Sequence, residues 1–437
     1  MNTLSSPAIG VCDSIFRTIF TNEEMRLIFI FSRSIYLTHC ITEAQSFLGV
    51  LPQNAGNIIE RDCTADKIDW DRLQKDTEIV GYPILGLVRQ LDDMCPESGK
   101  YLHWGATTQD IMDTASVLQI KAGLELISQQ LNAVRDILVE HIFNMPFPSP
   151  LATNAPVWLS ALDRHAERLE QLRPRALLVQ FGGAVGSLAS LGTDDIGLKV
   201  RTKLAEDLGL YDPPISWHVA RDGIAETISF LSIIGGTLGK IAYDILLLSS
   251  SEFGEVQEPF VPHRGASSTM PQKRNSISSE AILACSKLLR THAATAQDAM
   301  VSDLERASGP WHLEWSCVPE AFCLASGALR QTEFVLGGLH VDTGRMIENL
   351  DMSKGLIVGE AVMMGLAPHF GRNAAHDIVY EACTTCFGSH KRLSEQLRLM
   401  PQVREKLSDE DIDKLCDPKN YLGSCAQMVD DVLKGRK

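Results

Sequence analysis

Apolar side chains recur three and four residues apart through most of the chain and almost nowhere every second residue, a pattern that predicts helices rather than strands. The longest run, Ile111 to about Phe143, would form roughly 50 Å of uninterrupted helix at about 1.5 Å per residue. Four further long helices are expected at Trp158–Val179, Trp217–Glu252, Ile277–Met300 and Pro319–Leu336, the last ended by Gly337 and Gly338. Pro146, Pro148, Pro150 and Pro156 mark a loop before Trp158, because a proline cannot donate to a helical ladder. Shorter patterns flank these segments. Thr21 to Leu48 is helical, with Thr21 or Asn22 as cap, and Gly81 with Pro83 ends one helix and opens another. After Gly355 the texture changes to short helices at Ala374–Thr385, Leu393–Met400, Asp409–Leu415 and Gly423–Leu433.

The expected fold is all-α. It comprises an N-terminal helical domain at 1–110, a central bundle of five long helices at 111–354, and a small C-terminal helical domain at 355–437. Ile233 to Leu248 is apolar around most of the helix circumference, so the bundle is expected to be completed by other subunits.

With 437 residues, 45% hydrophobic and 22% charged, the composition is that of an ordinary globular chain. A net charge of −15 argues against a nucleic-acid partner and makes any local cluster of cations conspicuous. Met1 to Cys12 has neither the basic nor the apolar region of a signal peptide, and Gly223 to Leu248 is interrupted by Glu226, Lys240 and Asp244, so no membrane span is expected. Eleven scattered cysteines, an odd number, suggest free thiols in a reducing, cytoplasmic setting. Cys383 and Cys386 lack a second pair or nearby histidines, so they read as helix packing and no metal site is expected.

Candidate chemistry lies in two polar stretches. Gly265-Ala-Ser-Ser-Thr-Met-Pro-Gln-Lys-Arg-Asn-Ser276 is a loop, flexible at Gly265 and barred from helix by Pro271, that feeds a helix N-terminus capped by Ser276 or Ser278. Lys273 and Arg274 beside that N-terminus suit an anion such as a carboxylate or phosphate. Tyr101-Leu-His-Trp-Gly-Ala-Thr-Thr-Gln-Asp110 enters the longest helix, with Asp110 or Thr108 as cap. Gly182, Gly183 and Gly186 look like a phosphate loop only superficially, since no strand precedes them, and close helix packing is the expected reason for them.

These clusters on a long-helix scaffold resemble the fumarase/aspartase superfamily across nearly the whole chain. Ser267-Ser-Thr-Met-Pro-Gln-Lys-Arg-Asn275 is similar to its signature loop and His103-Trp-Gly-Ala-Thr-Thr-Gln-Asp110 to its first conserved block. The stretches Gln180–Gly192, Trp217-His218, Glu252–Pro259, Gly309–Trp315 and Gly355–Met364 look most like the 3-carboxy-cis,cis-muconate cycloisomerase branch, which trans-aconitate decarboxylases also resemble. The resemblance implies a cofactor-free lyase or cycloisomerase that moves a proton α to a carboxylate on a small polycarboxylic acid. Ser267 would be the base, and Lys273 and Asn275 would hold the carboxylate of an aci-carboxylate intermediate. Thr107, Thr108, Gln109, Ser268, Met270 and Arg306 would make further substrate contacts, and Glu280 would support the helix after the loop. It also implies a homotetramer with active sites shared between subunits.

Departures from the pattern bear on the substrate. Where the family has Thr-His or Thr-Trp before Ala-x-Pro, this chain reads Pro148-Ser-Pro-Leu-Ala-Thr-Asn-Ala-Pro156, so His218 or His103 would have to supply a proton. Ala266 replaces a glycine and Ser276 a proline of the signature. Alternatives to the cycloisomerase reading are a decarboxylase of an aconitate-type tricarboxylate, an adenylosuccinate-type C–N lyase, and a non-catalytic paralogue.

Overall fold

The computed structural model describes residues 23–28, 33–144, 150–306, 309–389 and 391–434. Five helices longer than twenty residues appear among them: α1 (Thr108–Asn144), α2 (Pro150–Ala176), α3 (Asp222–Leu248), α4 (Ile277–Asp298) and α5 (Pro310–Gly337). Strand is confined, among the described residues, to β1 (Val256–Gln257) and β2 (His340–Val341), which pair antiparallel with Val256 opposite Val341. The expected all-α fold is therefore present.

The repeat that forms α1 is legible residue by residue. Val117, Ile120, Leu124, Ile127, Leu131, Val134 and Leu138 are all buried and alternate spacings of three and four, which keeps one continuous seam turned inward over six turns. On α3, Ile228, Leu231, Ile234, Leu238 and Ile241 are buried in the same manner. That helix is long and apolar enough to cross a membrane by length and composition, and these buried positions place part of its apolar surface in the core.

Two helix starts differ from expectation. Pro150 opens α2 and Pro156 lies within it, where a loop was expected; the expected caps Thr21 and Asn22, and Pro146 and Pro148, lie outside the described residues. Likewise α5 begins at Pro310, nine residues before Pro319, which sits inside the helix. Proline at a first helical position costs nothing, because that N–H has no helical partner in any case. An interior proline forfeits a helical hydrogen bond, and at Pro319 the burial of Trp311, Cys317, Val318, Ala321 and Phe322 around it offsets that loss.

The chain divides into two compact units whose boundaries fall within the long helices. The first holds the residues through Ala133, Arg164–Ala242 and Ser278–Glu333. In its core Gln130 and Ser326 bond reciprocally: the Ser326 hydroxyl donates to Gln130 Oε1 at 2.8 Å and Gln130 Nε2 donates to the Ser326 carbonyl at 3.4 Å. His165, buried on α2, shares a hydrogen bond with Thr237 Oγ1 at 2.8 Å and meets Arg168 at 3.1 Å. Burial, helped by Arg168 and Arg164, pulls its pKa from 6.5 down to about 4. The unfolded chain therefore binds a proton at His165 that the folded chain refuses. Its contribution is complete above pH 6.5 and is lost as pH falls towards 4, at most about 3 kcal/mol by linkage. Chemical denaturation from pH 7.5 to 4.5 should show this decline, and His165→Gln should make it shallower.

The second unit holds Val134–Asp163, Tyr243–Ile277 and the residues from Phe334 onward. Arg345 ties the start of its strand pair, with Nε donating to the Phe253 carbonyl at 2.9 Å, and Asn349 Nδ2 donates to Glu255 at 2.8 Å. Towards the C-terminus Val362, Leu366, Ala375, Ala382, Leu393, Val403 and Ile412 form a shared apolar core of short helices. Ser408 caps the Asp409–Cys416 helix with a reciprocal capping box, which fixes where that helix starts. Cys383 and Cys386 lie on the helix Arg372–Ser389, with Cys383 packed against this core and Cys386 buried. No metal-holding group of His, Cys, Asp or Glu occurs among the described residues.

Candidate active site

In the first unit the His103–Asp110 block forms a tight turn that delivers α1. His103 and Gly105 both take left-handed backbone conformations, at φ 59° and 71°. Thr108 is the first helical residue rather than the cap, and Asp110, three residues inside, reaches back to accept the Thr107 N–H at 2.9 Å. The same carboxylate, wholly buried, accepts the N–H groups of Gly182 at 3.0 Å and Gly183 at 2.9 Å, and holds His218 Nε2 at 2.8 Å. The glycine run is therefore not a helix-packing device, as expected from sequence, but a carboxylate cradle. Gly183 sits at φ 74°, which lets two successive N–H groups converge on one anion.

Gln109 is fixed beside this hub. Its Nε2 donates to the His218 carbonyl at 2.7 Å and to Asp113 Oδ2 at 3.1 Å, which directs Oε1 at Arg306 Nη1, 3.0 Å away. Arg306 Nη2 donates to Thr107 Oγ1 at 2.9 Å and to the Ala184 carbonyl at 2.7 Å. Four sequence-predicted residues, Thr107, Gln109, His218 and Arg306, are thus brought into one constellation. His103 lies in the same turn; its buried Nδ1 has no hydrogen-bond partner, and burial, opposed by Asp110, holds its pKa below the usual value, so it is neutral at neutral pH.

A second buried group underlies the first. Arg221 donates Nη1 to Asp113 Oδ2 at 2.8 Å, Nη2 to Asp113 Oδ1 at 3.0 Å and Nε to Glu314 Oε1 at 2.9 Å, and Trp311 Nε1 donates to Asp113 Oδ1 at 2.9 Å. Burial works against the guanidinium charge, but the two carboxylates outweigh it and raise the pKa, so Arg221 is permanently cationic. Sequence reading named Asp110 only as a cap and missed Asp113, Arg221 and Glu314. The available signal was three acid or amide side chains, at 109, 110 and 113, clustered at the start of the longest helix on positions that are buried. Glu280 is exposed in the first turn of α4, where a carboxylate faces the positive end of the helix dipole.

In the second unit the signature loop closes on itself. Asn275 donates both its backbone N–H and its Nδ2 to the Gly265 carbonyl, each at 3.0 Å, and Ala266 bridges to Arg274. Gly265, at φ 69°, is pinned rather than loose. A Cβ there would stand 2.3 Å from the Asn275 carbonyl oxygen, so only glycine fits the loop's neck. At the crown the Ser267 Oγ accepts two backbone N–H groups, Met270 at 3.0 Å and Thr269 at 3.2 Å. Ser268, Met270 and Lys273 are exposed on the same loop. Arg274 lies over the Phe260 ring at 4.5 Å, and a cavity of about 340 Å³ opens beside the neck, lined by Gln257, Phe260, Arg264, Arg274, Asn275 and Ser276 among others.

Comparison with known proteins shows the family. A lyase family model matches residues 147–288, and an adenylosuccinate lyase C-terminus model matches residues 355–432. The chain is 45% identical over 404 residues to trans-aconitate decarboxylase 1 of Mycosarcoma maydis, covering 89% of this chain and 81% of that one. It is 36% identical over 416 residues to a 3-carboxy-cis,cis-muconate cycloisomerase of Acinetobacter baylyi, covering 91% and 92%. The crystal structure of a fumarate lyase from Mesorhizobium sp. BNC1 superposes with a TM-score of 0.89 at 49% identity, covering 96% of this chain and 99% of that one. The chain belongs to the fumarase/aspartase superfamily of lyases and is an enzyme of the group that includes 3-carboxy-cis,cis-muconate cycloisomerases and trans-aconitate decarboxylase.

Proposed function

We propose that the enzyme transfers a proton α to a carboxylate of a small polycarboxylic acid, in the manner of a 3-carboxy-cis,cis-muconate cycloisomerase, with Ser267 as base. The observation that carries this reading is the pair of N–H groups, from Thr269 and Met270, directed at Ser267 Oγ. A serine is a very weak base until its proton is gone, and two backbone donors favour the alkoxide over the alcohol. In the ring-opening direction the carbon-bound proton passes to Oγ, the electron pair it leaves is delocalised into the adjacent carboxylate as an aci-carboxylate carrying two negative charges, and collapse of that intermediate breaks the bond from the β carbon to oxygen. Lactonisation is the reverse, a carboxylate oxygen adding to the β carbon and the Ser267 Oγ–H returning its proton to the α carbon. Lys273 and Asn275 take that carboxylate, and Ser268 and Met270 border it. The cavity beside the loop carries Arg264 and Arg274 on its wall together with Glu258.

Thr107, Thr108, Gln109 and Arg306 take a further carboxylate. Arg306 supports this assignment because its hydrogen-bond partners among the described residues, Gln109 Oε1, Thr107 Oγ1 and the Ala184 carbonyl, are neutral oxygens. His218, or His103 once it has taken up a proton, serves as proton donor in place of the altered block, of which residues 148–149 lie outside the described ones.

A decarboxylase of an aconitate-type tricarboxylate is the second reading, supported by the similarity to trans-aconitate decarboxylase 1 and by the changed Pro148–Pro156 block. There the same loop would stabilise the carbanion left by loss of carbon dioxide. Incubation with 3-carboxymuconate, cis- and trans-aconitate, adenylosuccinate and fumarate, following absorbance and carbon dioxide release, separates the two: lactonisation without gas supports the first, gas release the second. Self-association as a homotetramer with shared active sites is proposed with either. Ile233, Tyr243 and Leu247, exposed on α3, would be covered by other copies. Light scattering at micromolar concentration should show a multimer, and a monomer would contradict it.

A further inference from the structure

We propose that Asp110 is a positioning residue whose carboxylate sets the direction of the Arg306 guanidinium. The inference rests on the reading of Arg306 as a carboxylate-binding cation. Each of the three oxygens that carry Arg306 traces back to Asp110 by one or two hydrogen bonds. Thr107, which offers Oγ1, has its backbone N–H on Asp110 Oδ2 at 2.9 Å. Ala184, which offers its carbonyl, directly follows Gly182 and Gly183, whose N–H groups occupy both Asp110 oxygens. Gln109, which offers Oε1, is oriented jointly by Asp113 Oδ2 and the His218 carbonyl, and the His218 ring is held by Asp110 Oδ1 at 2.8 Å. One carboxylate thus locks three separate chain segments at once, and the cation they jointly support makes no ion pair with it.

The arrangement solves a specific problem. A guanidinium must be rigid to select a carboxylate geometrically, and it must also remain unneutralised to attract one. An acid touching Arg306 would give rigidity at the expense of attraction. Asp110 gives rigidity at one remove, while its own charge is absorbed by three backbone N–H groups and the imidazole of His218.

Asp110→Asn preserves shape but turns an NH₂ group towards backbone donors on one side, so at least one of the three backbone N–H bonds cannot form, and two where the NH₂ faces Thr107 and Gly183. Crystal structures of wild type and Asp110→Asn should show Arg306 withdrawn beyond 3.5 Å from Thr107 Oγ1 and the Ala184 carbonyl in the variant. In steady-state kinetics Asp110→Asn should raise KM and lower kcat/KM about tenfold in the wild-type background, the scale of one charge-assisted hydrogen bond. In an Arg306→Gln background the same change should cost less than about threefold, because the residue through which it acts has gone. Arg306 contacts unchanged in Asp110→Asn, or an equal loss in both backgrounds, would overturn the proposal and leave Asp110 a purely structural acid. If Arg306→Gln alone leaves turnover unchanged, the carboxylate-binding reading fails, and the crystal structures still decide the positioning claim. Should Asp110→Asn not fold, Gly183→Ala strains the same cradle at φ 74° without altering charge, and the same two comparisons apply.

Discussion

Arg221→Met should lower the free energy of unfolding by about 3–5 kcal/mol, the scale for breaking a buried ion cluster on one side. Met fills much of the volume, so the loss is electrostatic: Asp113 and Glu314 would face each other in a buried site with no cation between them. Protonation of one acid relieves the repulsion, so the deficit should shrink as pH falls. The triple change Arg221→Met, Asp113→Leu, Glu314→Leu should recover most of the stability, since a buried ion cluster exchanged whole for apolar groups is often neutral or better. A residual deficit should remain because the Trp311 N–H and Gln109 Nε2 both lose an acceptor on Asp113. Urea unfolding of the three proteins measures both steps, and a single variant as stable as wild type would contradict the account of this cluster.

Ser267→Ala should lower kcat by about 10²–10⁴-fold, the usual range for removal of a general base, while leaving the fold intact. The residue stands on a partly exposed loop, and the Thr269 and Met270 N–H groups that it releases belong to exposed residues that water can satisfy. Ser268→Ala is the control. It removes an adjacent hydroxyl on which no backbone N–H pair converges, and should cost less than about tenfold, the scale of one neutral hydrogen bond. Equal losses in the two variants would show that the loop binds substrate without using Ser267 as base.

The helical scaffold was legible because its signal is local. Val117 to Leu138 announces α1 by spacing alone, and Ile277 was correctly placed as the start of α4. Local rules fail where tertiary burial overrides them: proline predicts a helix boundary at Pro156 and at Pro319, and both lie inside helices. The signature loop was recognisable from its string of letters, but its mechanics were not. Gly265 looked like a hinge and is a pinned neck, which becomes apparent only when Asn275, ten residues on, closes against it.

The polar hub was the least legible part. His218 stands 108 residues from Asp110, and Arg221 stands 108 from Asp113 and 93 from Glu314, so no window of sequence contains any of these pairs. Gly182 and Gly183 were visible as glycines, yet their purpose depends on a carboxylate 72 and 73 residues earlier in the chain. Local pattern specified which helices form. The site depends on which helix ends face the same buried acid, and that is a property of the packed chain.

The measurement that tests the central claim most directly is proton NMR of the purified enzyme incubated in D₂O with 3-carboxymuconate and, separately, with trans-aconitate. The account expects turnover of one of them with one solvent deuterium incorporated per product molecule, at a rate that collapses in Ser267→Ala. Turnover that proceeds without deuterium incorporation, or that persists undiminished in Ser267→Ala, would contradict it.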